Sequence, residues 1–272
     1  MPKHTDKIDQ SDEHNSRGIE LADRGWFDEA KREFEKAIEL DPESAHAYDN
    51  LGTVHVEKGD LDNALAVYLK ALSSDPESPA THHYLASFLA AHGVELAVQH
   101  YRRAIELDPE MVDAHLNLGM ALADGGQLEE ALNEVEIAHK QDPEDEMVEH
   151  ELASCLIDLQ RYPEAITHSK RIIKMHPEHI EAYVDLGISY TAQGFYAEAE
   201  SILQKALQLD ADDFASHYHM AALNVAWGRQ EQALDHLELA KTGDAARLRS
   251  WLRDDHAFAA LRNNERLLKL LA

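Results

Sequence analysis

Residues 45–78 read AHAYDNLGTVHVEKGDLDNALAVYLKALSSDPES, and the punctuation of that stretch returns along the chain. Its closing proline, Pro76, belongs to a series Pro42, Pro76, Pro109, Pro143 and Pro177, spaced by 34, 33, 34 and 34 residues. In the same phase Ala64 belongs to a column of Ala30, Ala64, Ala97, Ala131, Ala165, Ala199 and Ala233, so seven units are present. A second small-residue column holds Gly18, Gly52, Ala86, Gly119, Ala153, Gly187 and Ala221, and a third holds Ala37, Ala71, Ala104, Ala138, Ile172, Ala206 and Ala240. Small side chains let helices approach closely, and apolar residues at helical spacing surround the columns, as in Ala30, Phe34, Ala37 and Ile38. Glycines at 25, 59, 93, 126, 194 and 228, interrupted only by Gln160, stand where left-handed backbone would end a first helix. Asp41-Pro42 and its equivalents predict an N-capping carboxylate ahead of a proline in a helix's first turn. Each unit is therefore predicted to be helix, turn, helix.

These residues resemble the tetratricopeptide repeat family, whose unit carries an aromatic, Leu-Gly and Tyr on its first helix and Ala, an aromatic, Ala and Pro along its second. The second unit matches most clearly, with Tyr48, Leu51, Gly52, Ala64, Tyr68, Ala71 and Pro76, and with His55 in the tyrosine slot. The resemblance implies an all-α, right-handed α-solenoid (superhelix) of tandem units at about 11–44, 45–78, 79–111, 112–145, 146–179, 180–213 and 214–245. Residues 1–10 read as a polar, frayed tail. Residues 246–272, rich in leucine and broken near Asp254-Asp255 and Asn263-Asn264, read as capping helices over the last pair. The third unit is one residue short between Gly93 and Ala97. The fifth has Ser169 in the aromatic slot of its second helix and should pack most loosely.

The 25 Lys+Arg against 52 Asp+Glu give a net charge of −27, which would repel nucleic-acid phosphates and anionic membranes. Full protonation of the 18 histidines would leave the chain acidic. No stretch approaches a membrane span, the first residues lack the apolar core of a signal peptide, and Cys155 is the only cysteine. Together these point to a cytoplasmic location, with Cys155 packed inside a helix pair.

No phosphate loop, dinucleotide fingerprint, HExxH or GxSxG occurs, so neither catalysis nor a cofactor is expected. Histidines are the remaining suspects. His14, His82, His115 and His217 occupy the family's aromatic slot, one per unit, which favours packing over a metal site. The acidic runs Glu144-Asp145-Glu146 and Asp210-Ala211-Asp212-Asp213 fall at helix starts, where negative charge is favourable. Trp26 and Trp227 sit near hairpin turns and are expected to pack between pairs.

In similar proteins first helices line a concave face. By phase, its candidate contacts here are Asn15, Asp49, Asn50, Thr53, His83, Tyr84, Ser87, Asn117, Met120, His150, Glu151, Ser154, Asp185, Ile188, Tyr218 and His219. Asn50 and Asn117 match asparagines that related solenoids aim at a peptide backbone, although Ser16, Tyr84, Glu151, Asp185 and His219 fill the equivalent slots. With almost no lysine or arginine among them, these positions suit a neutral or basic protein segment better than an acidic one. A non-enzymatic adaptor is thus the first expectation; a homo-oligomeric structural scaffold, or a regulatory subunit of an enzyme on another chain, are the alternatives.

Overall fold

The structure is a computed structural model that describes residues 4–91 and 93–271, and every regular element among them is helical. Two compact units divide the chain, residues 1–142 and 143–272. The first holds α1 (His4–Asp23), α2 (Phe27–Leu40), α3 (Ala45–Glu57), α4 (Leu61–Ser74), α5 (Pro79–Ala90), α6 (Val94–Leu107), α7 (Val112–Asp124) and α8 (Leu128–Gln141). The second holds α9 (Glu146–Asp158), α10 (Tyr162–Met175), α11 (Ile180–Ala192), α12 (Tyr196–Leu209), α13 (Phe214–Ala226), α14 (Gln230–Gly243), α15 (Ala245–Asp254), a 3₁₀ turn over His256–Leu261 and α16 (Glu265–Leu271). Odd and even helices pair as the period predicts. The segment expected to fray is helical from His4 onward.

The small-residue columns set how closely the two helices of a pair approach. A methyl group added at Gly18, Gly52, Gly119 or Gly187 would lie 2.5, 2.5, 2.5 or 2.6 Å from Phe34, Tyr68, Val135 or Leu203. Ala30, Ala64, Ala97, Ala131, Ala165, Ala199 and Ala233 are fully buried. In the fifth unit the same phase pairs Ala153 with Ser169, both inaccessible, and the Ser169 hydroxyl donates to the Ala165 carbonyl at 3.0 Å. Two small residues stand here where the other units set glycine or alanine against a large side chain.

Five of the turn glycines take φ between 71° and 80°, as expected, but Gly93 has an extended φ of 177°. The residue missing from the third unit removes the need for a left-handed position there. Gln160 keeps the turn geometry without glycine, at φ 58°. Left-handed backbone costs a residue with a Cβ about 1–2 kcal/mol, offset in part by glycine's larger unfolded-state entropy. Gln160→Gly should therefore raise stability by about 0.5–1 kcal/mol in urea unfolding; a loss would show that the Gln160 side chain is itself stabilising.

The Asp-Pro turns differ from expectation. Asp41, Asp75 and Asp108 end the preceding helix, and each carboxylate accepts from the backbone N–H two residues on, at 3.2, 3.0 and 3.0 Å. Capping of the next helix falls to Ser44, Ser78, Asp145, His179 and Asp213. A carboxylate that closes its own tight turn is committed before the helix begins.

In the second unit Leu248, Leu252, Phe258, Leu261, Leu267 and Leu270 pack with Leu234 and Leu237 of α14 and with Phe214 and Tyr218 of α13, all buried. The α16 side chain of Arg266 reaches Glu231, Asp235 and Glu238 of α14 at 3.2, 2.6 and 2.7 Å. The last segment thus covers the seventh pair, with α15 ending at Asp254 and α16 starting at Glu265.

Candidate functional site

In four of the pairs the aromatic slot is tied to the preceding turn. His82, His115 and His217 are buried, and each Nε2 donates to the carbonyl six residues earlier, Pro76, Pro109 or Ala211, at 3.2, 3.1 and 3.0 Å. Tyr183 does the same to Pro177 through its hydroxyl at 3.0 Å. These side chains hold first helices against the turns that precede them.

The column one residue on holds Asn15, Asp49, His83 and Leu116 in the first unit and His150, Val184 and Tyr218 in the second, and within each unit it lies between successive first helices. Asp49, His83 and Tyr218, expected to be open, are buried beside Leu116 and Val184 of the same phase. Asp49 accepts the Thr81 hydroxyl of α5 at 2.7 Å, while its other oxygen is buried without a partner. Burial therefore pushes the Asp49 carboxyl up to about 6. Its folded value lies above the unfolded one, so the ionised group costs stability above pH 6, a cost that fades as pH falls toward 4. Asp49→Asn should gain about 1–2 kcal/mol at pH 8 and flatten stability between pH 4 and 6. Equal stability of the two proteins at pH 8 would contradict this assignment. Tyr218 donates to Asp255 at 2.6 Å, and burial raises its pKa.

The next two columns are the open ones. Asn50, Tyr84, Asn117, Glu151, Asp185 and His219 are half-buried, while Thr53, Ser87 and Met120 are exposed and Ser154 and Ile188 half-buried. Rungs cross between successive first helices: Asn50 donates to Asn15 at 2.9 Å in the first unit, and His150 Nε2 meets Asp185 at 3.2 Å in the second. The ladder asparagine at 50 is therefore engaged inside the fold, whereas Asn117 bonds to no described side chain. Thr53 and Ser87 bond back to the carbonyls of Asp49 and His83.

Five of the expected residues come together in the second unit. His150, Ser154, Asp185, Ile188 and His219 line a cavity of about 300 Å³ with Ile180, Glu181, Val184, Asp213, Ala215, Arg247 and Trp251. The aliphatic floor comes from α11, one wall from α9, another from α13 and the far wall from α15. Asp185 holds the His150 imidazole above its ordinary pKa by hydrogen bonding. Burial pushes His219 down to about 4, so it is neutral at physiological pH despite Asp185, Asp255 and Asp213. Arg247 stacks on Phe214 and Trp251, 4.5 and 4.6 Å from the ring centroids, which fixes its guanidinium at the rim. Arg247 and Trp251 lie beyond the repeat phase and were not among the expected contacts; the amphipathic pattern of the tail was their only signal.

The histidines nearby do not assemble a metal centre. Glu146 meets His176 at 3.4 Å and His179 at 3.5 Å, yet His179 Nδ1 accepts the Ala182 N–H at 3.2 Å. Its proton therefore sits on Nε2, the nitrogen that would have to bind the ion. Cys155 is buried, and burial pushes its thiol up to about 12. Trp227 lies 5.7 Å from Tyr196 with Arg229 over its ring, as packing predicts, whereas Trp26 is 54% exposed.

Profiles of the tetratricopeptide repeat match residues 15–79, 87–146 and 156–223. The chain belongs to the tetratricopeptide repeat family. It is similar to Superkiller protein 3 of Schizosaccharomyces pombe, 29% identical over 44% of this chain and 9% of that protein. It is also similar to the Hsp70-Hsp90 organizing protein of Triticum aestivum, 26% identical over 77% of this chain and 37% of that protein. The chain thus spans well under half the length of either relative. A solved tetratricopeptide repeat protein from Parabacteroides merdae shares the fold at a TM-score of 0.66 and 18% identity, over 97% of this chain and 98% of that one. Among the described residues no helix is long and apolar enough to cross a membrane.

Proposed function

We propose that this tetratricopeptide repeat protein acts by binding a segment of another protein, without catalysis of its own, and that the cavity of the second unit is its principal contact site. The observation that carries this reading is the cavity itself, built on the open columns of three successive first helices and closed by α15. Its aliphatic floor suits an apolar side chain. The carboxylates of Glu181, Asp185 and Asp213 outnumber the single fixed cation, Arg247, so a neutral or basic segment is favoured over an acidic one.

Trp251 lines the cavity and serves as a reporter. Titration with peptides of neutral, basic and acidic composition should change the fluorescence of the Trp26→Phe, Trp227→Phe protein for the first two classes. Ile188→Glu should weaken that binding at least about tenfold, the scale of one misplaced charge in an apolar contact. If a partner captured by the full chain binds Ile188→Glu and Asp185→Lys proteins as it binds the parent, the cavity is not the site.

A further inference from the structure

Across each helix pair, the aromatic slot faces one position on the second helix, and the two are matched in kind. The first, third, fourth, fifth and seventh units carry His14 with Glu33, His82 with His100, His115 with Glu134, Glu149 with His168, and His217 with His236, at 2.6, 2.9, 2.7, 3.0 and 3.0 Å. The second and sixth have Tyr48 with Val67 and Tyr183 with Ile202 at the same positions. Three pairs therefore join imidazole to carboxylate, and two join imidazole to imidazole.

The proton positions in the two imidazole pairs follow from their partners. A carbonyl can only accept, so His82 and His217 carry their proton on Nε2, toward Pro76 and Ala211. Their Nδ1 must then accept, and the Nδ1 of His100 and of His236 must donate. Each pair thus has a single N–H between its two Nδ1 atoms. One added proton can be held, because a charged His100 or His236 still donates its Nδ1–H, but protonating both rings of a pair sets N–H against N–H at 2.9 or 3.0 Å between two like charges.

We infer that the third and seventh helix pairs are a built-in acid-sensitive device, loosening once both rings of a pair take up a proton, under conditions in which the first, fourth and fifth pairs hold. Charges nearby do not neutralise it. Around the third pair, Glu77 of the preceding turn lies 3.9 Å from Arg103 of α6, Asp49 of α3 is bonded to Thr81, and Asp113 of α7 acts on His83, the next ring along α5. Burial, then the neighbouring imidazole, holds His100 below its ordinary pKa. Around the seventh, Asp235 of α14 and Glu200 of α12 favour the charged form of His236, but burial and His217 outweigh them; Arg266 of α16 occupies Asp235 and Arg229 occupies Glu200. Depressed folded-state values mean that this stability is present above pH 6.5 and is lost as pH falls below it.

Hydrogen exchange resolved by helix tests this on the full chain at pH 7.5 and pH 5.0, after correction for intrinsic rates. Opening of α5, α6, α13 and α14 should rise about five- to hundredfold at pH 5.0 relative to α1, α2, α7 and α8, the range that one lost buried hydrogen bond spans. His100→Glu with His236→Glu recreates the imidazole–carboxylate pairing of the fourth unit and should abolish the difference. Should that variant fail to fold, ¹⁵N imidazole spectra of the parent decide: Nε2–H tautomers at His82 and His217, with His100 and His236 still neutral at pH 6, support the device. Uniform exchange at both pH values, or rings that charge above pH 6.5, would overturn it.

Discussion

Deleting residues 245–272 should leave the first unit folded and unfold the seventh helix pair. The deleted segment supplies six of the buried apolar side chains packed over Leu234 and Leu237, Phe214 and Tyr218. Exposing a large apolar side chain costs about 1.5–3 kcal/mol each, so the loss exceeds what the interface between one hairpin and its neighbour returns. Tyr218 would also lose its hydrogen bond to Asp255. Exchange protection should vanish over α13 and α14 and persist over α1 to α8. A truncated chain that keeps native protection in α14 would mean that the cap is dispensable to the fold. In that case Arg247 and Trp251, which leave with it, could be assessed for binding alone.

Gly52→Leu should be the most damaging single substitution in the first unit. Even a methyl group at residue 52 sits 2.5 Å from the Tyr68 ring, which is 3% exposed. The two helices must separate or Tyr68 must leave its place, and overpacking of this kind costs about 1–3 kcal/mol or more. The second pair should unfold at lower urea than the parent by that amount. Tyr68→Ala in the same chain opens the space and should make the pair of changes less costly than their sum. Strict additivity would indicate that residues 52 and 68 do not compete for one volume.

The period, the glycine and alanine columns and the aromatic slot were all legible, because each reflects a contact repeated in every unit and therefore leaves a signal at a fixed spacing. The boundary between facing and packed positions was harder. Asp49, His83 and Tyr218 are polar enough to suggest solvent, and only their phase partners Leu116 and Val184 betray a buried column. Tertiary contact between neighbouring first helices, rather than helix amphipathicity alone, decides that boundary. The cap residues of the cavity escaped because α15 lies outside the period and its direction follows from packing on α13 and α14. Asp-Pro was misleading for a local reason, since a short carboxylate bonds the nearest free N–H, which belongs to its own turn.

Glu149 and His168 carry the same pairing as His115 and Glu134 with the two residues exchanged, and Glu149 remains fully inaccessible. Either helix of a hairpin can therefore supply either member. A duplicated unit can change its chemistry at this point by an exchange of two codons, provided that both change together. Pairs of opposite sense, placed in adjoining units of an artificial array, would favour each hairpin's own halves over a neighbour's and so discourage strand exchange between copies during assembly.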